Sequence, residues 1–68
     1  MTSIKITQMI KILKKIKETE GDLDIYLSGD PEGNSYGTVD KSSFGKIGDK
    51  GLAIYPFEEN LDYNDIVK

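Results

Sequence analysis

Oxygen donors crowd one short stretch of this chain, Asp30-Pro31-Glu32-Gly33-Asn34. Carboxylates and an amide carbonyl at that density are the ligand types of a hard cation such as calcium. The spacing is wrong for a calcium loop, which needs an Asp-x-Asp-x-Asp-Gly run and a bidentate Glu at its far end. A tight turn accounts for the same residues. Pro31 presets its own φ, Asp30 accepts from amides ahead of it, and Gly33 suits positive φ. No metal or other cofactor is expected. Glu58, Glu59, Asp62 and Asp65 are a second source of carboxylates. Acid–base catalysis needs two such groups with separated pKa values converging in a cleft, and neighbours along a polar tail do not converge. Ser42 and Ser43 have no histidine to activate them, since the chain contains none. It has no cysteine either, which excludes thiolate and imidazole metal sites and disulfides. The expected protein is not an enzyme.

Two other groups of side chains point to binding. Lys11, Lys14 and Lys15 fall on one side of a helical wheel and form a candidate basic face for phosphates. All nine basic residues of the chain are lysine, so the bidentate arginine contacts that read phosphate and guanine are missing. No stacking aromatics lie among these lysines, and nucleic acid is the weaker expectation. Tyr26, Tyr36 and Tyr55 are the other group. Tyr26 alternates with Leu23, Ile25 and Leu27, and Tyr55 alternates with Leu52 and Ile54. If the aliphatics face a helix, the tyrosines share the open face of a sheet. Tyrosine there gives a large contact area with a polar tip, as at protein interfaces. Tyr26, Tyr36 and Tyr55, with Asp30 and Glu32 of the adjoining turn, form the candidate protein interface.

The elements that would hold these groups follow from periodicity. Ile4 and Ile6 alternate with polar residues, which predicts an extended start. Thr7 is the expected N-cap of a helix running to about Glu18 or Thr19, with Met9, Ile12, Leu13 and Ile16 along one face and Ile10 at its edge. Gly21 suits the helix stop. The alternation of Leu23, Ile25 and Leu27 predicts a strand, and the Gly29–Asn34 turn predicts an antiparallel return over residues 35–39. Residues 40–51 read as a loop anchored by Phe44 and Ile47. Residues 52–55 read as a third strand stopped by Pro56, and residues 60–67 as a short terminal helix capped by Asn60 or Asp62. The expected fold class is α+β: one amphipathic helix packed on a three-stranded, mostly antiparallel sheet, burying Leu13, Ile16, Ile25 and Ile54 together.

Length and charge bound what such a fold can be. Sixty-eight residues make one domain, 1–68, with a small core. Without disulfides or a metal, a second copy or a partner is expected to complete that core. The net charge of −3 is unevenly divided. Residues 1–17 carry five lysines and no acid, and residues 18–68 carry all twelve acids against four lysines. No apolar run approaches the ~20 residues of a membrane span, and lysines interrupt the N-terminal segment.

Taken together, the Thr7-led helix, Gly21-Asp22, the alternating Asp22–Leu27 segment, Asp30 with Glu32-Gly33-Asn34, and Ile54-Tyr55-Pro56 resemble a loose class of small accessory proteins of tailed bacteriophages. The resemblance spans about residues 7–56. It implies a small α+β fold, a phage origin and a place in the host cytoplasm, and it brings no catalytic residues. Abundant isoleucine and lysine, with their AT-rich codons, agree with that origin. The expected function is non-enzymatic: binding and modulating a host or phage protein, in host takeover or defence inhibition. A homo-oligomer holding a small ligand or nucleotide between subunits is the first alternative. A weak nucleic-acid binder using the lysine face is the second.

Overall fold

A computed structural model describes residues 2–67. Helix α1 spans Ile6–Glu20 and helix α2 spans Tyr63–Ile66. Between them lie four short strands: β1 Tyr26–Ser28, β2 Tyr36–Thr38, β3 Phe44–Ile47 and β4 Gly51–Ile54. The α+β class and the antiparallel β1–β2 hairpin agree with the sequence. The expected single three-stranded sheet does not form. The strands make two two-stranded antiparallel sheets, β1 with β2 and β3 with β4.

Residues 40–51 are therefore not a plain loop, because they contain β3. Asp40 makes a tight turn, Phe44–Ile47 runs out, and Gly48-Asp49-Lys50 returns the chain with Gly48 at φ 59°. The signal was a Gly-Asp-Lys-Gly turn between two short apolar alternations, masked by the glycines and lysines inside them. In the first hairpin, Gly33 has φ 73°, a region that glycine enters without Cβ strain.

One segment stitches the two hairpins together. Tyr55 N–H donates to Ser43 O at 2.7 Å, extending the β3–β4 pairing. The chain then turns at Pro56 and pairs with the outer edge of β2. Phe57 N–H donates to Thr38 O, Thr38 N–H to Glu58 O, and Tyr36 and Leu61 exchange both bonds, at 2.7–3.0 Å. Glu58 N–H also donates to Thr38 Oγ1 at 2.9 Å. This pairing advances two residues along β2 but three along the segment, and Asn60 at φ 61° takes up the extra residue. Gly37 is buried under this segment. A Cβ there would lie 2.8 Å from both Glu58 O and Pro56 Cβ.

Helix α1 begins two residues earlier than expected. Lys5, extended at φ −92° and ψ 161°, is the N-cap, and Thr7 lies inside the first turn. Gln8 explains the shift, since its Oε1 accepts from Lys5 N–H at 2.8 Å. That is half of a capping box; a lysine ammonium has no acceptor for the other half. The helix ends at Glu20, beyond the expected Thr19. Gly21 follows at φ 97°, donating to Lys17 O at 3.0 Å. Helix α2 is capped by Asp62 and not by Asn60. Asp65 N–H donates to Asp62 Oδ1 and Asp62 N–H to Asp65 Oδ2, satisfying both halves of the motif.

The expected packing of helix on sheet is overturned. Every residue of α1 is exposed, and α1 packs on neither sheet. Leu13, Ile16, Ile25 and Ile54 are 43%, 42%, 58% and 38% exposed and do not form one core. Among the described residues no apolar side chain is buried. Geometry gives the reason. A 15-residue helix is about 22 Å long. A two-stranded sheet is only about 10 Å across and gives it no face to cover. Only Tyr26–Ser28 of the predicted first strand is paired, so Leu23 and Ile25 leave the sheet and lie beside the last turns of α1.

Candidate functional site

The two hairpins present their side chains by register. Tyr26 faces Thr38, and Ser28 faces Tyr36, so Tyr26 and Tyr36 share one face of the first sheet. Leu27 and Gly37 take the other face, under Pro56. Tyr55 belongs to the second hairpin. Its ring crosses Gly45, where an added Cβ would meet Cε2 at 3.2 Å. The single face of Tyr26, Tyr36 and Tyr55 is thus split between two sheets, because the strand carrying Tyr55 pairs with β3. Tyr26 and Tyr55 are exposed. Tyr36 is half-buried, with its hydroxyl folded over Gly33.

The acidic turn beside them is built from its own backbone. Asp30 Oδ1 accepts from Asn34 N–H at 3.0 Å and Glu32 N–H at 3.1 Å. Ser28 Oγ donates to Asp30 O, and Asn34 Nδ2 donates to Glu32 Oε2 at 3.4 Å. The Asn34 amide holds the Asp30 carboxyl below its usual pKa, with a smaller part from the Glu32 amide and an opposing one from desolvation. One oxygen of Asp30 is therefore committed to the turn. Glu32 is exposed, with Oε2 taken by the long bond from Asn34.

A similar turn, which sequence reading passed over, joins the two hairpins. Asp40 Oδ1 accepts from Ser42 N–H at 2.8 Å and Ser42 Oγ at 2.7 Å. Ser43 Oγ accepts from Asp40 N–H at 2.9 Å and lies 3.3 Å from Asp40 Oδ1. Ser43 is 4% exposed. The Ser42 hydroxyl is the main cause that lowers the Asp40 pKa, followed by the Ser42 amide. Ser42 and Ser43 are turn-builders here, and Asp-x-Ser-Ser spacing was the signal for it.

An uncovered apolar surface runs along α1. Ile6, Met9, Ile10, Ile12, Leu13 and Ile16 are all exposed along one side of the helix. Leu13 and Ile16, together with Leu23 and Ile25, line an open groove of about 400 Å³ rimmed by Lys14, Lys17, Asp22 and Asp24. Lys11 and Lys15 are exposed on the other side of α1, and Lys14, also exposed, sits at the border between the two sides. No helix among the described residues is long and apolar enough to cross a membrane, and no group of three or more acidic side chains among them could hold a metal ion.

Comparison with protein-family models, curated proteins and solved structures finds no match to this chain. The class defined by fold and surface is a small α+β protein of two stitched hairpins with a projecting amphipathic helix.

Proposed function

We propose that this protein is non-enzymatic and acts by binding another polypeptide, with the apolar side of α1 as the docking element. The observation that carries the reading is the exposed row Ile6, Met9, Leu13 and Ile16 on a helix that packs on neither sheet and has Leu23 and Ile25 beside its last turns. An amphipathic helix lays such a row into an apolar groove or against another helix. A contiguous exposed apolar patch of this kind marks an interaction surface. The hairpins serve as the body that carries α1, with Tyr26, Tyr55 and Glu32 as a secondary contact region. On the phage resemblance, the bound polypeptide is a host or phage protein in the host cytoplasm, and binding modulates it sterically.

Affinity capture from host lysate, run with the native chain and three sets of variants, tests this. Leu13→Glu with Ile16→Glu should abolish retention of bound proteins. Tyr26→Ala or Tyr55→Ala should weaken retention less. Replacing Lys11, Lys14 and Lys15 by Ala should change it little, because exposed lysines are poor anchors. Retention that survives the glutamates and fails with the alanines would move the site to the basic face and make a phosphate-bearing partner the better reading.

A further inference from the structure

We infer that the occupant of the α1 stripe is a second copy of this chain, bound helix to helix and antiparallel about a two-fold axis. The inference rests on the reading of α1 as a docking face and names its partner.

Area is the first argument. The chain exposes 6293 Å². A compact monomer of 7.6 kDa exposes about 4300 Å². The excess of about 2000 Å² exceeds the ~800 Å² per partner that a stable interface buries. The radius of gyration agrees, at 13.3 Å against about 11 Å for a compact chain of this length. No buried apolar side chain among the described residues offsets the excess. A chain in this state needs its partner as it folds, and another copy is the partner always at hand.

Symmetry is the second argument. Ile6, Met9, Leu13 and Ile16 are spaced three, four and three residues apart, the seam spacing of a two-helix coil. The spacing reads the same in both directions, and so, nearly, do the residues. Antiparallel pairing sets Ile6 against Ile16 of the second copy and Met9 against its Leu13. All four layers are then filled by side chains of similar volume, and a two-fold axis maps the seam onto itself. Few surfaces of an irregular protein are self-complementary in this way.

Charge is compatible. Lys11 and Lys15 lie on the far side of each helix, while Lys14 and Lys17 rim the groove beside Leu13 and Ile16 in company with Asp22 and Asp24. What repulsion remains between two basic helices is screened by salt, so the dimer should hold or tighten as salt rises. A basic face bound to nucleic acid or to an acidic partner would weaken instead.

Sedimentation equilibrium on the native chain at tens of micromolar should give twice the monomer mass of 7.6 kDa. Leu13→Glu should raise the dissociation constant by more than about a hundredfold, because it buries an unpaired charge at two symmetric places. The hairpin amide signals in NMR should stay in place, since α1 does not pack on them. The chain has no cysteine, so Met9→Cys and Leu13→Cys report the register cleanly. Mixed, they should cross-link to each other faster than either does to itself. Faster self-cross-linking of Met9→Cys would mean parallel pairing and would overturn the antiparallel arrangement. A monomer that binds an apolar dye at α1, with binding lost in Leu13→Glu, would overturn the second copy while leaving α1 as a docking face for another protein. A monomer that binds no dye would overturn both.

Discussion

Helix α1 and the stitched hairpins are held by different forces. The hairpin half carries a dense set of directed bonds. β1 pairs with β2, β3 pairs with β4, and residues 55–61 bond to both hairpins. The Asp30 and Asp40 carboxylates close its turns. Helix α1 has only its internal ladder and an end fixed by Gln8. A single helix of this length is marginal in water, and in most proteins its stability comes from burying an apolar face. Backbone pairing can thus define a fold with little burial in one half of the chain, while the other half waits for a surface to bury against.

The change expected to break the hairpin half most severely is Gly37→Val. Its Cβ would collide with Glu58 O and Pro56 Cβ, one a backbone atom and the other part of a rigid ring. A loss of about 1–3 kcal/mol, at the upper end of that range, is expected from such overpacking. Urea unfolding followed by tyrosine fluorescence reads it, and an unchanged midpoint would mean that residues 56–58 do not lie over β2.

Gly33→Val comes next. The φ of 73° is strained for a β-branched residue, and a cost of about 1–2 kcal/mol is expected. The Tyr36 hydroxyl, 2.6 Å from the new Cβ, sits at the end of a side chain and swings away, so backbone strain dominates. The same urea unfolding measurement with Gly33→Ala should show a smaller loss.

The comparison sharpens with Leu13→Ala. Burial of Leu13 in the chain's own core would make this change cost several kcal/mol. At 43% exposure on a helix apart from the hairpins, it should alter hairpin stability by less than about 0.5 kcal/mol. Hydrogen exchange at Phe57, Thr38 and Leu61 measures that half by itself. At dilutions where the chain is monomeric, α1 amides should exchange faster than these three.

Acid should produce the mildest effect, and only in the hairpin half. Asp30 and Asp40 both have folded pKa values below their unfolded ones. Their contribution is fully present above the unfolded carboxylate range near 4 and is lost as pH falls through the lowered folded values. The midpoint of unfolding should fall with pH below about 4. Asp30→Asn and Asp40→Asn should each flatten that slope. A slope unchanged in both variants would show that the turns do not depend on the charged form.

Much of the local structure was legible because its causes are local. Periodicity gave the helix and its apolar side. Gly21 and Gly33 marked positive φ, and Asp30 marked a turn that its own carboxylate closes. The Thr7 start failed because Gln8, three residues after Lys5, competes for the same helix end. The third strand forms, but its expected place in a single sheet failed for a different reason. Residues 52–54 do fall in a strand, β4, but the Gly48-Asp49-Lys50 turn that pairs it with β3 is masked by the glycines and lysines around it.

The sequence by itself determined what chemistry is absent, since a chain without histidine or cysteine has no imidazole or thiol to use, and it determined where helix and turns form. Tertiary structure alone decided that the second hairpin closes on itself and that Pro56 turns the chain from one sheet edge to the other. That choice splits the sheet, separates Tyr55 from Tyr26 and leaves α1 without a face to cover. The pairing of residues 57–61 with β2 joins positions distant in sequence through backbone groups that every residue carries, so side-chain pattern does not encode it, and the fate of the apolar helix follows from how the strands pair.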